Sequence, residues 1–210
     1  VPDDWQTNVD LLNSGLERAQ SQIAEYMADQ GVSVDLRVVS GAVVDLCNEV
    51  VQQALCCDLV MFGNDLRQDE VLFHEILHVA LFKAPTGVLL NGLKNNAVFQ
   101  PASAIVAWKT GLAASRAVRS ALPILQAARN IRIMMFDPRA SAGAEGDAAG
   151  SEVAAWLSHK GCAVTVDQCP SGGDEVGVAL MKRAMENGAD LIVMGAYGHS
   201  RLREAIFGGT

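Results

Sequence analysis

The chain has 210 residues, half of them hydrophobic and 19% charged, with 24 acidic against 16 basic side chains. The formal net charge of -8 leaves no basic stripe for nucleic acid, and the apolar content excludes a disordered chain. No apolar run reaches the length of a membrane span and no secretory leader is legible, so the sequence reads as cytoplasmic, with room for one large or two small domains.

Residues 8–30 read as a helix, 33–39 as an extended segment and 42–55 as a second helix. The apolar run at 58–63 reads as a buried strand that ends on Gly63. A strongly apolar helix over 68–83 and an extended segment at 87–91 follow. Between Gly92 and Pro101 a glycine, a lysine, two asparagines and a proline interrupt the pattern and mark a boundary. Beyond it, 104–108 and 131–136 read as strands on either side of a helix at 112–128. A Gly/Ala-rich loop at 140–150 then leads to a helix at 151–160, a strand at 163–166, a helix at 174–187 and a strand at 190–194. Strands alternating with helices in this way predict an α/β fold, a parallel sheet covered on both faces.

The two sides of the boundary resemble each other. Asp58, Leu59 and Gly63 find their like in Asp190, Leu191 and Gly195; Ser40-Gly41 matches Ser171-Gly172, and Gly31 matches Gly161. One spacing, with small slips at loops, runs through all of these pairs, as in a diverged tandem repeat. The sequence therefore predicts two similar doubly wound, Rossmann-like domains, 1–92 and 103–210, with Gly63 pairing with Gly195. On that reading each copy is incomplete. The first lacks an opening strand–helix–strand and the second lacks a closing helix and strand, so the full protein is expected to extend at both ends.

The strand at 190–194 runs straight into Gly195, and Gly198, Gly208, Gly209 and Thr210 follow. Glycines at such a turn let backbone N–H groups approach phosphate oxygens closely. The spacing Gly195-x2-Gly198-x9-Gly208 resembles the nucleotide-binding signature of the universal stress protein family. Residues 105–111, with Ala114, Ser115, Arg116 and Ala117, look like that family's opening strand and first helix.

The resemblance implies ATP or another adenine nucleotide as ligand, bound without a required metal. Residues equivalent to Met194, Gly195, Tyr197 and Gly198, and to Gly208, Gly209 and Thr210, would hold ribose and phosphates. Ala107, Trp108 and Lys109 would meet the adenosine end. It also implies a stress-response role through binding, with at most slow hydrolysis, and a pseudo-two-fold pairing of the two domains or a homodimer. Two departures stand out: Lys109 replaces a usual acidic residue, and Gly209 stands where a Ser or Thr usually follows the third glycine. The first half has Asn64-Asp65-Leu66-Arg67 after Gly63 and looks like a non-binding copy. A dimerising scaffold that needs no nucleotide is the alternative. No Rossmann Gly-x-Gly-x-x-Gly and no Walker A loop occurs.

His74-Glu75-Ile76-Leu77-His78 matches the zinc-protease pattern H-E-x-x-H, which sets two histidines on one helical face. No His, Asp or Glu follows between His78 and Asp137 to serve as the usual third ligand. The stretch is therefore read as a packed helix, with zinc at His74 and His78 as a remote alternative. His159 reads as a helix-end cation, His199, Arg201 and Arg203 as phosphate partners or surface charges, and Asp137 and Asp167 as rims of the crevice. The five cysteines, without a C-x-x-C pair, read as buried reduced thiols.

Overall fold

A computed structural model describes residues 3–90, 99–137 and 145–196. The chain parts into two compact units, Val1–Glu49 and Val50–Thr210.

Helix α1 (Asp3–Asp29) fills most of the first unit, and α2 (Val43–Ala54) begins in it and ends in the second. Gly31 ends α1 in the left-handed region, at φ 67°. There its N–H donates to Ala28 O and that of Val32 donates to Met27 O. Gly161 ends a later helix in the same way, at φ 87°, with Gly161 N–H to Ser158 O and Cys162 N–H to Leu157 O. Both are helix stops in which glycine avoids the Cβ clash of positive φ. The segment at 33–39, read as extended, belongs to no sheet. A strand needs a neighbour for its ladder; among the described residues of this unit, 33–39 pairs with no strand and is tied by side chains, as where Gln20 Nε2 donates to Leu36 O and Arg37 pairs with Glu49. Val34, Val38 and Val39 are accordingly exposed.

In the second unit β1 (Leu59–Met61) pairs in parallel with β2 (Gly87–Leu89) across α3 (Glu70–Phe82). Asp69 starts α3, its side chain accepting from Leu72 N–H at 3.0 Å. Strand β1 is half-buried, with Met61 exposed, rather than buried.

The remaining elements are β3 (Ser103–Ala107), α4 (Leu112–Ser120), α5 (Leu122–Ala127), β4 (Asn130–Phe136), α6 (Glu145–His159), β5 (Val164–Cys169), α7 (Val176–Glu186) and β6 (Leu191–Met194). The expected single helix at 112–128 breaks at Ala121, because Pro123 has no N–H to continue the ladder. Helix α6 starts six residues before its predicted onset, taking the alanine-rich end of the expected loop into a helix.

These strands form a parallel sheet in the order β5-β4-β3-β6. Successive residues point to opposite faces. Ala104, Val106, Ile131, Ile133, Leu191 and Val193 pack with Val118, Leu125, Val153 and Leu157 of α4, α5 and α6. Ile105, Met134 and Cys169 pack with Leu180 and Ala184 of α7 on the other face. Burial of Leu125 or Leu157, each fully buried, contributes about 1.5–3 kcal/mol. Leu89 of β2 belongs to the first of these cores.

Candidate functional site

Strand β3 has β4 on one side and β6 on the other, and the sheet reverses its order between β3 and β6. Ligands of doubly wound sheets lie beyond the carboxyl ends of the strands at such a point. Asp190 sets the alignment. Its carboxylate accepts from Ala102 N–H at 2.8 Å and Ser103 N–H at 3.1 Å, while its own N–H donates to Ser103 O. Pairing then runs from Ala104 with Leu191 to Ala107 with Met194, so both strands stop level. In the sequence Asp190 stands out only as part of the repeat. Its role depends on contacts 87 and 88 residues away, which no local pattern reveals.

Gly195 follows directly, and α4 rests on it. A Cβ there would lie 2.7 Å from Ala114 N and 2.8 Å from Ala113 C. Only glycine lets the first turn of α4 sit this close. No side chain caps that turn, so its first amides face the crevice end with the positive pole of the helix dipole. Gly63, the matching residue of the first half, has nothing within 4 Å of such a Cβ.

Ala107 ends β3 and packs in the α7-side core, and Met194 ends β6 against the same core. Trp108 extends the ladder, its N–H donating to Met134 O at 2.9 Å. Its ring is half-buried against the opposite core, and its Nε1–H is buried with no acceptor among the described residues. A buried donor left unpaired costs about 1–3 kcal/mol. Lys109 is exposed beside it. The structure thus brings Ala107, Trp108, Lys109, Met194 and Gly195 to one end of the sheet. Tyr197, Gly198, His199, Arg201, Arg203, Gly208, Gly209 and Thr210 lie outside the described residues.

Asp137 closes β4, the neighbour of β3, at φ 45°, and its carboxylate accepts from Ser171 N–H at 3.0 Å. Hydrogen bonds from the Ser171 side chain and then its backbone hold this carboxyl below the usual aspartate range, against a smaller opposing effect of burial. A lowered folded value stabilises above the unfolded pKa and ceases to do so as pH falls through the folded one. Asp137→Asn keeps a residue tolerant of this backbone but removes the charge. Wild type is therefore expected to exceed Asp137→Asn in stability at neutral pH. The gap should close as urea midpoints are followed below about pH 4; a gap constant with pH would contradict the assignment.

Asp167 is not a rim of this crevice. It lies on β5, two strands from β3, and pairs with Arg132 at 2.7 Å. His159 is exposed in the last turn of α6. His74, Glu75 and His78 lie on the exposed side of α3, while Phe73, Ile76, Leu77, Val79 and Ala80 bury the other. The His78 ring meets Phe82 edge-on at 4.8 Å. Among the described residues no group of three or more His, Cys, Asp or Glu could hold a metal ion. Cys47, Cys162 and Cys169 are buried, but Cys56 and Cys57 are exposed in the turn after α2, contrary to the buried reading. None of the five is in a disulfide.

No family model matches the chain. No curated protein matches it either. Among solved structures, a universal stress protein from Archaeoglobus fulgidus aligns with a TM-score of 0.65 at 14% identity, covering 94% of this chain and 71% of its own. A protein of the universal stress protein family from Burkholderia pseudomallei aligns at 22% identity and a TM-score of 0.41, over 50% of this chain and 89% of its own. A protein from Mycobacterium tuberculosis aligns at 21% identity and a TM-score of 0.37, over 51% of this chain and 80% of its own. The first match covers nearly the whole chain and carries the conclusion. No helix among the described residues is long and apolar enough to cross a membrane. The chain has the parallel α/β fold of a universal stress protein structure.

Proposed function

We propose that the crevice beyond β3 and β6 binds an adenine nucleotide, ATP foremost, and that the protein serves a stress response in the cytoplasm by binding rather than by turnover. The observation that carries this is the level ending of β3 and β6 at the switch point, with a Trp108 indole N–H that has no acceptor among the described residues. The amides of α4 and the glycines from Gly195 onward suit phosphate, and local donors outweigh a net charge of -8 over such short distances. Lys109, exposed at the adenosine end, adds a cation whose long side chain can extend toward the phosphates. On this reading the site needs no metal and no nucleic-acid partner.

We further propose the tandem organisation, with 1–92 a degenerate copy of 103–210. The matching helix stops at Gly31 and Gly161 support it. At their spacing, Ile23, Tyr26 and Met27 of α1 stand where Val153, Trp156 and Leu157 of α6 close a core.

Calorimetry with ATP tests the nucleotide reading. Micromolar binding lost in Gly198→Val would support it, since a branched side chain obstructs the turn; no heat and no thermal shift at millimolar ATP would reject it. One observation favours a nucleotide-independent dimerising scaffold, namely the apolar surface left on α1 at Leu11, Leu12, Ile23 and Tyr26. A concentration-dependent dimer that ignores ATP would favour that reading.

A further inference from the structure

We propose that the groove between β5 and α7 is a second ligand site, which takes a small phosphate-bearing anion gripped by Arg132 and Arg183. The groove holds about 390 Å³ and is lined by Arg132, Met134, Asp167, Cys169, Arg183 and Asn187, among others. It belongs to the α7 face of the sheet, over β4 and β5, and shares no described residue with the crevice beyond β3 and β6.

Its two cations come from opposite walls, Arg132 from β4 and Arg183 from α7. Each guanidinium has five N–H donors in a planar fork. Arg132 uses one on Asp167 at 2.7 Å, which fixes the orientation of its fork. Arg183 meets Glu186 at 3.2 Å, and both of those side chains are more than 40% exposed. Such an exposed pair is worth under about 1 kcal/mol, so Arg183 leaves it readily for a stronger partner. A tetrahedral dianion offers oxygens to both walls at once and attracts the two forks more strongly than either single carboxylate. Asn187 is held on the rim, its Nδ2 donating to Arg183 O at 2.7 Å. The one carboxylate in the lining, Asp167, is already paired with Arg132 at 2.7 Å; of the rest, Met134 is apolar, and burial, the largest influence on Cys169, pushes its thiol up and keeps it neutral.

The test is a two-dimensional amide NMR titration of the whole chain with inorganic phosphate, pyrophosphate and glycerol phosphate. Saturable shifts are expected at amides 167–169 and 183–187. Arg183→Gln, on an exposed helix face, should weaken binding about tenfold, the loss of one charge-assisted contact. Arg132→Gln should weaken it as well where its spectrum shows the fold retained. Tighter binding of glycerol phosphate than of inorganic phosphate would identify a phosphorylated small molecule as ligand, and the reverse order free phosphate. Shifts confined to residues 194–196, no saturable shift at all, or wild-type affinity in Arg183→Gln would overturn the proposal.

Discussion

Replacing Gly195 with alanine is expected to lower the thermal unfolding midpoint by about 4–8 °C, corresponding to roughly 2 kcal/mol. The reason is steric. The added methyl would meet backbone atoms of Ala114 and Ala113 at 2.7 and 2.8 Å, and backbone within a helix cannot rotate away as a side-chain tip can. Helix α4 must shift, and its buried Ala114 and Val118 shift with it. Gly63→Ala is the control. Gly63 has an ordinary extended backbone, at φ -68° and ψ 149°, and open space around its Cα. That substitution should be neutral, or slightly stabilising through the unfolded chain. Equal losses at the two positions, measured by calorimetric unfolding, would mean that α4 does not rest on Gly195.

The second large effect distinguishes the two matching helices. Leu157→Ala is expected to cost about 2–5 kcal/mol, because Leu157 is fully buried in the core shared by β3, β4 and β6. Met27, its counterpart in α1, is only half-buried, and its neighbours Ile23 and Tyr26 are 47% and 64% exposed. Met27→Ala should therefore cost under about 1 kcal/mol. Urea unfolding of both variants checks this. A Met27 loss as large as that of Leu157 would show that the α1 face is covered in solution, by a second copy or by further chain.

The second half of the fold was legible because its strands are short apolar runs bounded by glycine, proline or polar residues, and each lies within a few residues of its predicted place. Gly195 was singled out as a ligand glycine; its packing against α4 depends on a helix some eighty residues earlier in the chain. The segment 33–39 carries valines at 34, 38 and 39, a local preference that does not supply a partner strand. Pro123 could have been read as a break in 112–128, since the signal was present. Apolar neighbours such as Leu55 suggest burial for Cys56 and Cys57, whereas Leu55 itself is 52% exposed. The Arg132–Asp167 pair joins adjacent strands, and single-strand patterns do not reveal cross-strand partners.

The central claim is that a nucleotide occupies the end of β3 and β6 beside Trp108, and the indole Nε1–H resonance of Trp108 tests it most directly. The signal is assigned by its loss in Trp108→Phe and followed through an ATP titration. An unpaired buried N–H should move downfield on gaining an acceptor, saturably and in step with the amides of 194–196. A Trp108 signal that stays in place while ATP is raised to millimolar levels would contradict the account.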